Sequence, residues 1–253
     1  MLHPDIMSSL PQNPKIADVA TGTGIFLLDL AKTLPTASEF HGFDISSEQF
    51  PKTHMPANVQ FHIADAKNPF SPEFHEKFDV VHLRLLIAGI SGDDWKTVTQ
   101  NVCMLLKPGG AIQWTEGDFA QLYPALRGSS NPRHTSARLN TYVRTWLDLP
   151  GFAWRERLAA SPSGWSSIPH IFRDLGFQDV EDDVVSSDRL GEEGRRLGTQ
   201  IEMGVYASSF QVAGLSDDEI EAIRKPAEED VINGAYLRWD LHVIREFKVH
   251  KDV

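Results

Sequence analysis

The sequence predicts an α/β fold built on a mostly parallel sheet, and three features of its N-terminal half carry this prediction. Short apolar runs of strand length alternate with segments whose apolar residues recur at helical spacing. A glycine-rich turn follows the first run, and an acidic residue lies at the end of each of the next two. Because strands that are linked through helices pair in parallel and are covered on both faces, the pattern favours an open sheet with a ligand at one edge.

The predicted elements of this half follow in a regular order. A strand at Lys15–Val19 leads into the turn Ala20–Gly24, and the helix after it ends at Pro35, which cannot continue a helix. A second helix begins at about Asp93 and is closed by the Lys-Pro-Gly-Gly turn Lys107–Gly110. The other strands are predicted at 40–44, 59–63, 78–83 and 111–114.

The C-terminal half is predicted to complete the sheet and to add helical insertions. A helical stripe ends at Gly176, and a strand begins at 177–180. Alternation of apolar and other side chains over 236–244 predicts the last strand. We therefore expect one domain, which consists of a core at 1–119, helical insertions at 120–165 and 188–234 that cap the ligand edge, a core helix and strand at 166–187, and the last strand within 235–253.

Composition and charge narrow the classes of partner. The 253 residues include 24 basic and 35 acidic ones, a formal net charge of −11, with no basic stripe, which disfavours a nucleic-acid partner. Cys103 is the only cysteine, so it forms no intramolecular disulfide, and we expect a small buried hydrophobe there. The ten histidines show no paired spacing on one helix face, and we predict no metal site.

The chain is expected to be soluble and cytoplasmic. Its longest apolar runs, such as Leu85–Ile90, are far shorter than the roughly 18 apolar residues of a membrane helix. The N-terminus lacks the basic start and apolar stretch of a secretory signal. Whether the chain forms a homodimer is left open.

Two carboxylates and the glycine-rich turn point to an adenosine ligand. Asp44 lies 20 residues beyond Gly24, at a strand end, where a carboxylate can accept both ribose hydroxyls. Asp65 can accept the adenine amino proton, while Ala66 can donate its backbone N–H to the ring. A dinucleotide turn would have glycine in place of Leu27, and the Lys-Ser/Thr pair of a P-loop is missing, so phosphate-binding interpretations are disfavoured. S-adenosyl-L-methionine (SAM) has no phosphate and carries a sulfonium cation, which matches the turn and the net acidity.

With these residues the chain resembles the class I SAM-dependent methyltransferases. Asp18–Gly24 resembles their first motif, with Ala20 in place of the usual first glycine. The other matching segments are Phe43-Asp44 for the ribose-binding acid, Asp65-Ala66 for the adenine contact, 78–82 for the fourth strand and 106–110 for the turn into the fifth. More narrowly, the chain is similar to the fungal UMTA-type methyltransferases of secondary metabolism at Leu2-His3-Pro4, 16–24, 27–31, 41–46 and 236–241.

The resemblance implies a fold, a cofactor and a set of cofactor contacts. The fold is Rossmann-like, with a seven-stranded, mostly parallel sheet whose last strand is antiparallel. The cofactor is SAM and its product is S-adenosyl-L-homocysteine. His82, at the end of the fourth strand, is expected to face the methionine part of SAM. The residues expected to bind the cofactor are Asp18, Ala20, Thr21, Gly22, Gly24, Asp44, Ile45, Asp65, Ala66, His82 and Leu83.

Catalytic candidates depend on the nucleophile. Methyl transfer is an in-line displacement that relies chiefly on holding the nucleophile behind the methyl group, and a base is needed only if the nucleophile must lose a proton. Glu116, His134 and His170 are candidate bases because we expect them on the rim of the cleft. Each of the three also fits a surface or supporting polar role.

Candidate substrate contacts are one cation and a set of aromatic residues, namely Arg84, Trp114, Phe119, Tyr123, Tyr142 and Trp146. The aromatic residues would line an apolar pocket for a flat substrate. Arg84 equally fits a structural ion pair, and the helical stripe that contains Tyr142 and Trp146 equally fits core packing.

Two functions of different classes remain. In the first, the protein transfers a methyl group to a hydroxyl, carboxyl or amine of a small aromatic or polyketide-like metabolite. In the second, it binds SAM without methyl transfer, as a cyclase-type enzyme or a regulatory partner. Proteins of the resembled kind usually carry a further helical segment ahead of Leu2-His3-Pro4 that contributes to a lid over SAM, whereas only 14 residues precede Lys15, so we expect a trimmed chain or a more open site. Fold precedent favours the enzyme.

Overall fold

The structure is a computed structural model, and it describes residues 1–52, 55–90, 92, 94–117, 123–126, 137–150 and 165–248. Its contacts divide the chain into two compact units. The first comprises Met1–Glu116, Ala160–Asp183 and His242–Val253, and the second comprises Gly117–Ala159 and Val184–Leu241. The sequence predicts one domain with insertions, and the second unit contains most of those insertions. Their role as a cap over the ligand edge stays a prediction.

The strands form one large and one small sheet. The strands are β1 (Lys15–Val19), β2 (Glu39–Asp44), β3 (Val59–Ile63), β4 (Phe78–Arg84), β5 (Leu106–Gly117), β6 (Tyr123–Leu126), β7 (Gln178–Ser186), β8 (Ala235–Arg238) and β9 (Asp240–Phe247). The large sheet has seven strands in the order β3-β2-β1-β4-β5-β9-β7, mostly parallel with one antiparallel strand. Strand order reverses between β1 and β4, and open sheets of this type bind ligands at the carboxyl ends beside such a reversal. The predicted fold class is thereby confirmed.

Helices cover both faces of this sheet, as predicted. The described helices are α1 (Pro4–Ser9), α2 (Ile25–Leu30), α3 (Asp94–Leu105), α4 (Ala137–Leu147), α5 (Ile168–Asp174), α6 (Glu192–Val212) and α7 (Asp217–Ile232), of which α4, α6 and α7 belong to the second unit. On one face, Leu27 of α2 belongs to a buried cluster with Ile16 of β1. On the other, the rings of Trp95 in α3 and Trp114 in β5 lie 5.9 Å apart. Because apolar helix faces of this kind pack against the sheet, they hold the carboxyl ends of its strands side by side at one edge.

Two neighbouring strands carry a pair of histidines. Nδ1 of His41 in β2 lies 2.9 Å from Nε2 of His62 in β3. The rings of Phe74 and Phe78 pack edge-on against His41. Burial, together with the nearby charge of Lys77, lowers the pKa of His41 to about 4. Burial, with the charge of Lys77, also lowers the pKa of His62, so both rings are neutral near pH 7.

The predicted last strand is two strands in the structure, so that prediction was wrong. β8 pairs antiparallel with β6, whereas β9 belongs to the large sheet. The division falls at Trp239, whose backbone N–H and C=O bond to Ser187 at 3.1 and 3.0 Å. Side-chain alternation continues across this residue, so the sequence pattern does not reveal the break. The predicted turn Lys107–Gly110 likewise lies within β5, whose pairing with β4 shifts register between Phe78 and Val80.

The second unit is a small helical bundle with a two-stranded sheet. α4, α6 and α7 pack together, and β8 pairs with β6. The ring of Trp146 stacks on Tyr206 at 4.2 Å, and Tyr142 meets Phe210 edge-on at 5.4 Å. An ion pair between Arg138 and Asp230 ties α4 to α7. None of the described helices combines the length and apolar character needed to cross a membrane.

Candidate cofactor site

The turn between β1 and α2 runs through left-handed backbone conformations. Ala20, Gly22 and Gly24 have φ of 58°, 53° and 70°, which glycine adopts freely and which cost an alanine on the order of 1 kcal/mol. Gly24 is also required by space, because a Cβ atom there would lie 2.3 Å from Cζ of Phe61. The N–H of Thr21 donates to the carbonyl of Phe43 at 3.0 Å. The turn is therefore fixed beside the ends of β2 and β3.

A buried acid braces the turn from below. Oδ2 of Asp18 accepts a hydrogen bond from the hydroxyl of Thr21 at 2.6 Å, and its Oδ1 accepts one from Nδ1 of His82 at 2.7 Å. The ring of Phe26 stacks on His82 at 3.6 Å. Asp18 and His82 are both buried. Their side chains therefore hold β1, β4 and the turn together and do not open into a cleft.

The two acids at the strand ends are partly exposed and are held by backbone donors. Asp44 accepts from the N–H of Gly22 at 2.8 Å and from that of Ser46 at 3.2 Å. Asp65 accepts from the N–H of Lys67 at 3.0 Å. Such bonds orient each carboxylate and leave lone pairs for a ligand. The amide of Asn101 in α3 donates to the carbonyl of Ala66 at 2.9 Å and so fixes the next residue.

The ends of β1, β2 and β3 share one cavity of about 140 Å³. Ala20, Asp44, Asp65 and Ala66 line it, as does Ile45, so five of the predicted cofactor residues meet at one place. The opposite wall is the segment after β4, which includes the buried side chains of Leu86 and Ile90. An apolar wall together with two carboxylates is the combination of surfaces typical of a small-molecule pocket.

Glu116 does not lie on the cleft rim, and that prediction of its position was wrong. Its side chain is fully buried and accepts from the indole N–H of Trp114 and the backbone N–H of Leu86, both at 2.8 Å, and from the N–H of Ile87 at 3.3 Å. Burial raises its pKa to about 7, although the three donors oppose the shift. Glu116 thus holds the segment that forms the cavity's apolar wall.

The other candidates are scattered. Arg84 is exposed at the end of β4, and His170 is exposed on α5. Trp114 and Leu83 are buried in the sheet, whereas Tyr142 and Trp146 lie in the bundle core, so none of these four lines an open pocket. The helical stripe was core packing, the alternative that its spacing also fitted. His134, Phe119 and the side chain of Tyr123 lie outside the described residues.

Sequence reasoning missed three supporting residues. Phe61 fills the space beneath the turn, Asn101 fixes Ala66, and Leu86 forms the apolar wall. A signal existed for Phe61: Gly42 in the middle of β2 marks a close approach, and a Cβ atom there would lie 2.6 Å from the Phe61 ring. The sequence carries no such signal for Asn101 and Leu86, because only the folded structure brings their segments next to the strand ends.

The fold is that of the class I methyltransferases, and sequence comparison agrees. A family model described as a methyltransferase domain matches residues 16–110. The chain is similar to class I methyltransferases of fungal secondary metabolism.

Two fungal relatives are similar over much of the chain. Methyltransferase grgD from a Penicillium species is 42% identical over 183 residues, which cover 68% of this chain and 63% of that protein. N-methyltransferase sirN from Leptosphaeria maculans is 34% identical over 201 residues, which cover 77% and 66%. The chain thus spans slightly less than two thirds of either relative.

A solved structure has the same fold. Phosphoethanolamine N-methyltransferase 2 from Haemonchus contortus, in complex with S-adenosyl-L-methionine, superposes with a TM-score of 0.56 at 17% identity. The match covers 97% of this chain and 52% of that one. At this identity the likeness concerns the fold alone.

Proposed function

We propose that the chain is a SAM-dependent methyltransferase that methylates a hydroxyl, carboxyl or amine of a small aromatic or polyketide-like metabolite. One observation supports this most directly: Ala20, the first residue of the left-handed turn, and the acids at the ends of β2 and β3 line a single cavity. Asp44 is proposed to accept the ribose hydroxyls. Asp65 and the backbone N–H of Ala66 are proposed to bind the adenine edge, with Leu86 and Ile90 against its face.

The residues fit SAM by their chemistry. Two partly exposed carboxylates offer acceptors for the ribose hydroxyls and the adenine amino group, and Lys67, which lines the same cavity, pairs with Asp94. SAM, when bound, supplies an activated methyl group on a positively charged sulfur. Asp18, Thr21 and His82 are proposed to act by fixing the turn, because Asp18 and His82 are sealed beneath it.

An amine is the acceptor that we favour among the three. The relative from Leptosphaeria maculans is named as an N-methyltransferase. A neutral amine attacks without first losing a proton, so it requires no base in contact with it. Glu116 is occupied by three donors inside the fold, which disfavours a role as a base for a phenol. His170 and His134 stay candidate bases for an oxygen acceptor.

Calorimetric titration with SAM and S-adenosyl-L-homocysteine tests the cofactor. The intact chain is expected to bind with a Kd on the order of micromolar. Asp44→Ala and Asp65→Ala should each weaken binding by about tenfold or more, the effect of one lost hydrogen bond to a charged group. Asp29→Ala, which removes an exposed acid of α2 that pairs with Lys32, is the matched control and should bind normally. Unchanged binding in both site variants would refute the assignment.

Turnover distinguishes the two functions. Release of S-adenosyl-L-homocysteine with an aromatic amine, phenol or carboxylic acid would support the enzyme and identify the acceptor class. Tight SAM binding without turnover on any of the three classes would instead favour the cyclase-type or regulatory alternative.

A further inference from the structure

A second cavity, of about 250 Å³, lies within the helical unit. It is formed by the first turns of α6, the end of α7 and the start of β8. Two arginines line it, Arg195 and Arg196, together with Glu192 at its rim and the apolar surfaces of Val231 and Tyr236. None of these residues takes part in the proposed cofactor site.

Arg195 is unusual because its charge is buried without an acid. The residue is only 6% exposed. Its Nη1 donates to the carbonyl of Leu190 at 2.7 Å and weakly to that of Asp188 at 3.4 Å. Among the described residues no carboxylate lies within 4.0 Å of its guanidinium. A largely buried cation without a counter-charge is costly, and an anion in the cavity would offset that cost.

Asp188, whose carbonyl Arg195 contacts, has its carboxylate committed elsewhere. The carboxylate of Asp188 accepts the hydroxyl of Tyr236 at 2.6 Å and pairs with Nε of Arg238 at 2.9 Å. These bonds fix the ring of Tyr236, and the guanidinium carbon of Arg195 lies 5.1 Å from the centre of that ring. The ring therefore holds the guanidinium plane in place without using its N–H groups.

The free edge of Arg195 has a defined chemistry. Its Nε and Nη2 carry N–H groups that find no acceptor in the described part of the chain, and the residue lines the cavity. A guanidinium edge presents parallel donors that match the two oxygens of a carboxylate.

We propose that this cavity binds the carboxylate of a small organic acid, with Arg195 as its bidentate partner. One buried cation balances one negative charge, and Glu192 at the rim opposes a dianion such as phosphate. Val231 and the ring of Tyr236 contact the apolar part of the acid. Arg196, which is exposed beside the opening, attracts the carboxylate electrostatically but forms no fixed hydrogen bond with it. This site is separate from methyl transfer, so it stands or falls independently of the proposed function.

A benzoate titration that is monitored by saturation-transfer NMR tests the proposal. The intact chain should bind benzoate saturably, and Arg195→Gln should bind at least about tenfold more weakly. Arg195→Lys keeps the charge but loses the planar edge, so it should also bind more weakly than the intact chain. Arg196→Gln is the matched control and should change the Kd less than about threefold, because an exposed charge contributes little. Benzoate that binds equally well to Arg195→Gln, no saturable binding by the intact chain, or phosphate that competes as well as acetate would each overturn the proposal.

If an Arg195 variant fails to fold, a measurement on the unaltered chain still tests the proposal. Phenylglyoxal modifies arginine side chains, and peptide mass spectrometry reports each site separately. Benzoate should slow modification of Arg195 and leave unchanged the rate at Arg173 on α5, which does not line this cavity. Equal rates at Arg195 with and without benzoate would overturn the proposal.

Discussion

Replacing Glu116 by glutamine is expected to change how the stability of the protein depends on pH. The buried carboxyl has a pKa of about 7 in place of its ordinary 4.5, chiefly because burial disfavours the charged form. Below pH 4.5 the group is protonated in the folded and unfolded chains alike. As the pH rises from 4.5 to 7, the unfolded chain loses this proton while the folded chain keeps it, so the free energy of unfolding falls. Above pH 7 the loss levels off at roughly 3 kcal/mol.

Glutamine keeps the shape but cannot ionise. Its carbonyl oxygen can still accept from Trp114 and Leu86, while its amide group meets the N–H of Ile87, at a pH-independent cost of about 1–3 kcal/mol. The stability difference between the intact chain and Glu116→Gln should therefore narrow or reverse between pH 4.5 and 7.

Urea denaturation at several pH values measures this difference. Glu228→Gln is the control, because Glu228 is a partly exposed acid of α7 that pairs with Arg224. That variant should show the same pH dependence as the intact chain. A stability difference between the intact chain and Glu116→Gln that stays constant from pH 4.5 to 8 would refute the reasoning.

Two further predictions concern the same unit. His41→Gln should remove a loss of stability on acidification, since the pKa of His41 is about 4 in the folded chain and 6.5 ordinarily. Between these pH values the unfolded chain gains a proton that the folded chain does not, which lowers the free energy of unfolding by roughly 3 kcal/mol. Urea denaturation at pH 4 and pH 7 measures this loss. A free energy of unfolding that falls as much between pH 7 and pH 4 in His41→Gln as in the intact chain would contradict this. Gly24→Ala should lower the free energy of unfolding by about 1–3 kcal/mol and weaken SAM binding, because the new Cβ atom would lie 2.3 Å from the Phe61 ring at a residue whose φ is 70°. Gly198→Ala is the control, because Gly198 lies in a helix with open space beside it. Normal SAM affinity in Gly24→Ala would show that the turn does not contact the ligand.

The sequence predicts most of the first unit because its strands are short, apolar and separated by strong turn signals. β1 and β3 lie where the pattern places them, and the acids at the strand ends meet as their spacing implies. Glu116 was misplaced because an acid at a strand end is read as exposed, and only the fold brings the N–H groups of Leu86 and Ile87 to it. Tyr142 and Trp146 were ambiguous for another reason. A stripe at helical spacing is the same whether it faces a core or a pocket.

The buried histidine and the buried glutamate have a joint consequence for proton exchange. On unfolding between pH 4.5 and 6.5, the released His41 takes up a proton while the released Glu116 gives one away. The two exchanges nearly cancel, so this pair leaves the unfolding reaction almost proton-neutral across mild acidity. In this range the stability that His41 costs on acidification is offset by the stability that protonation of Glu116 restores, so losing either group alone exposes the pH dependence of the other.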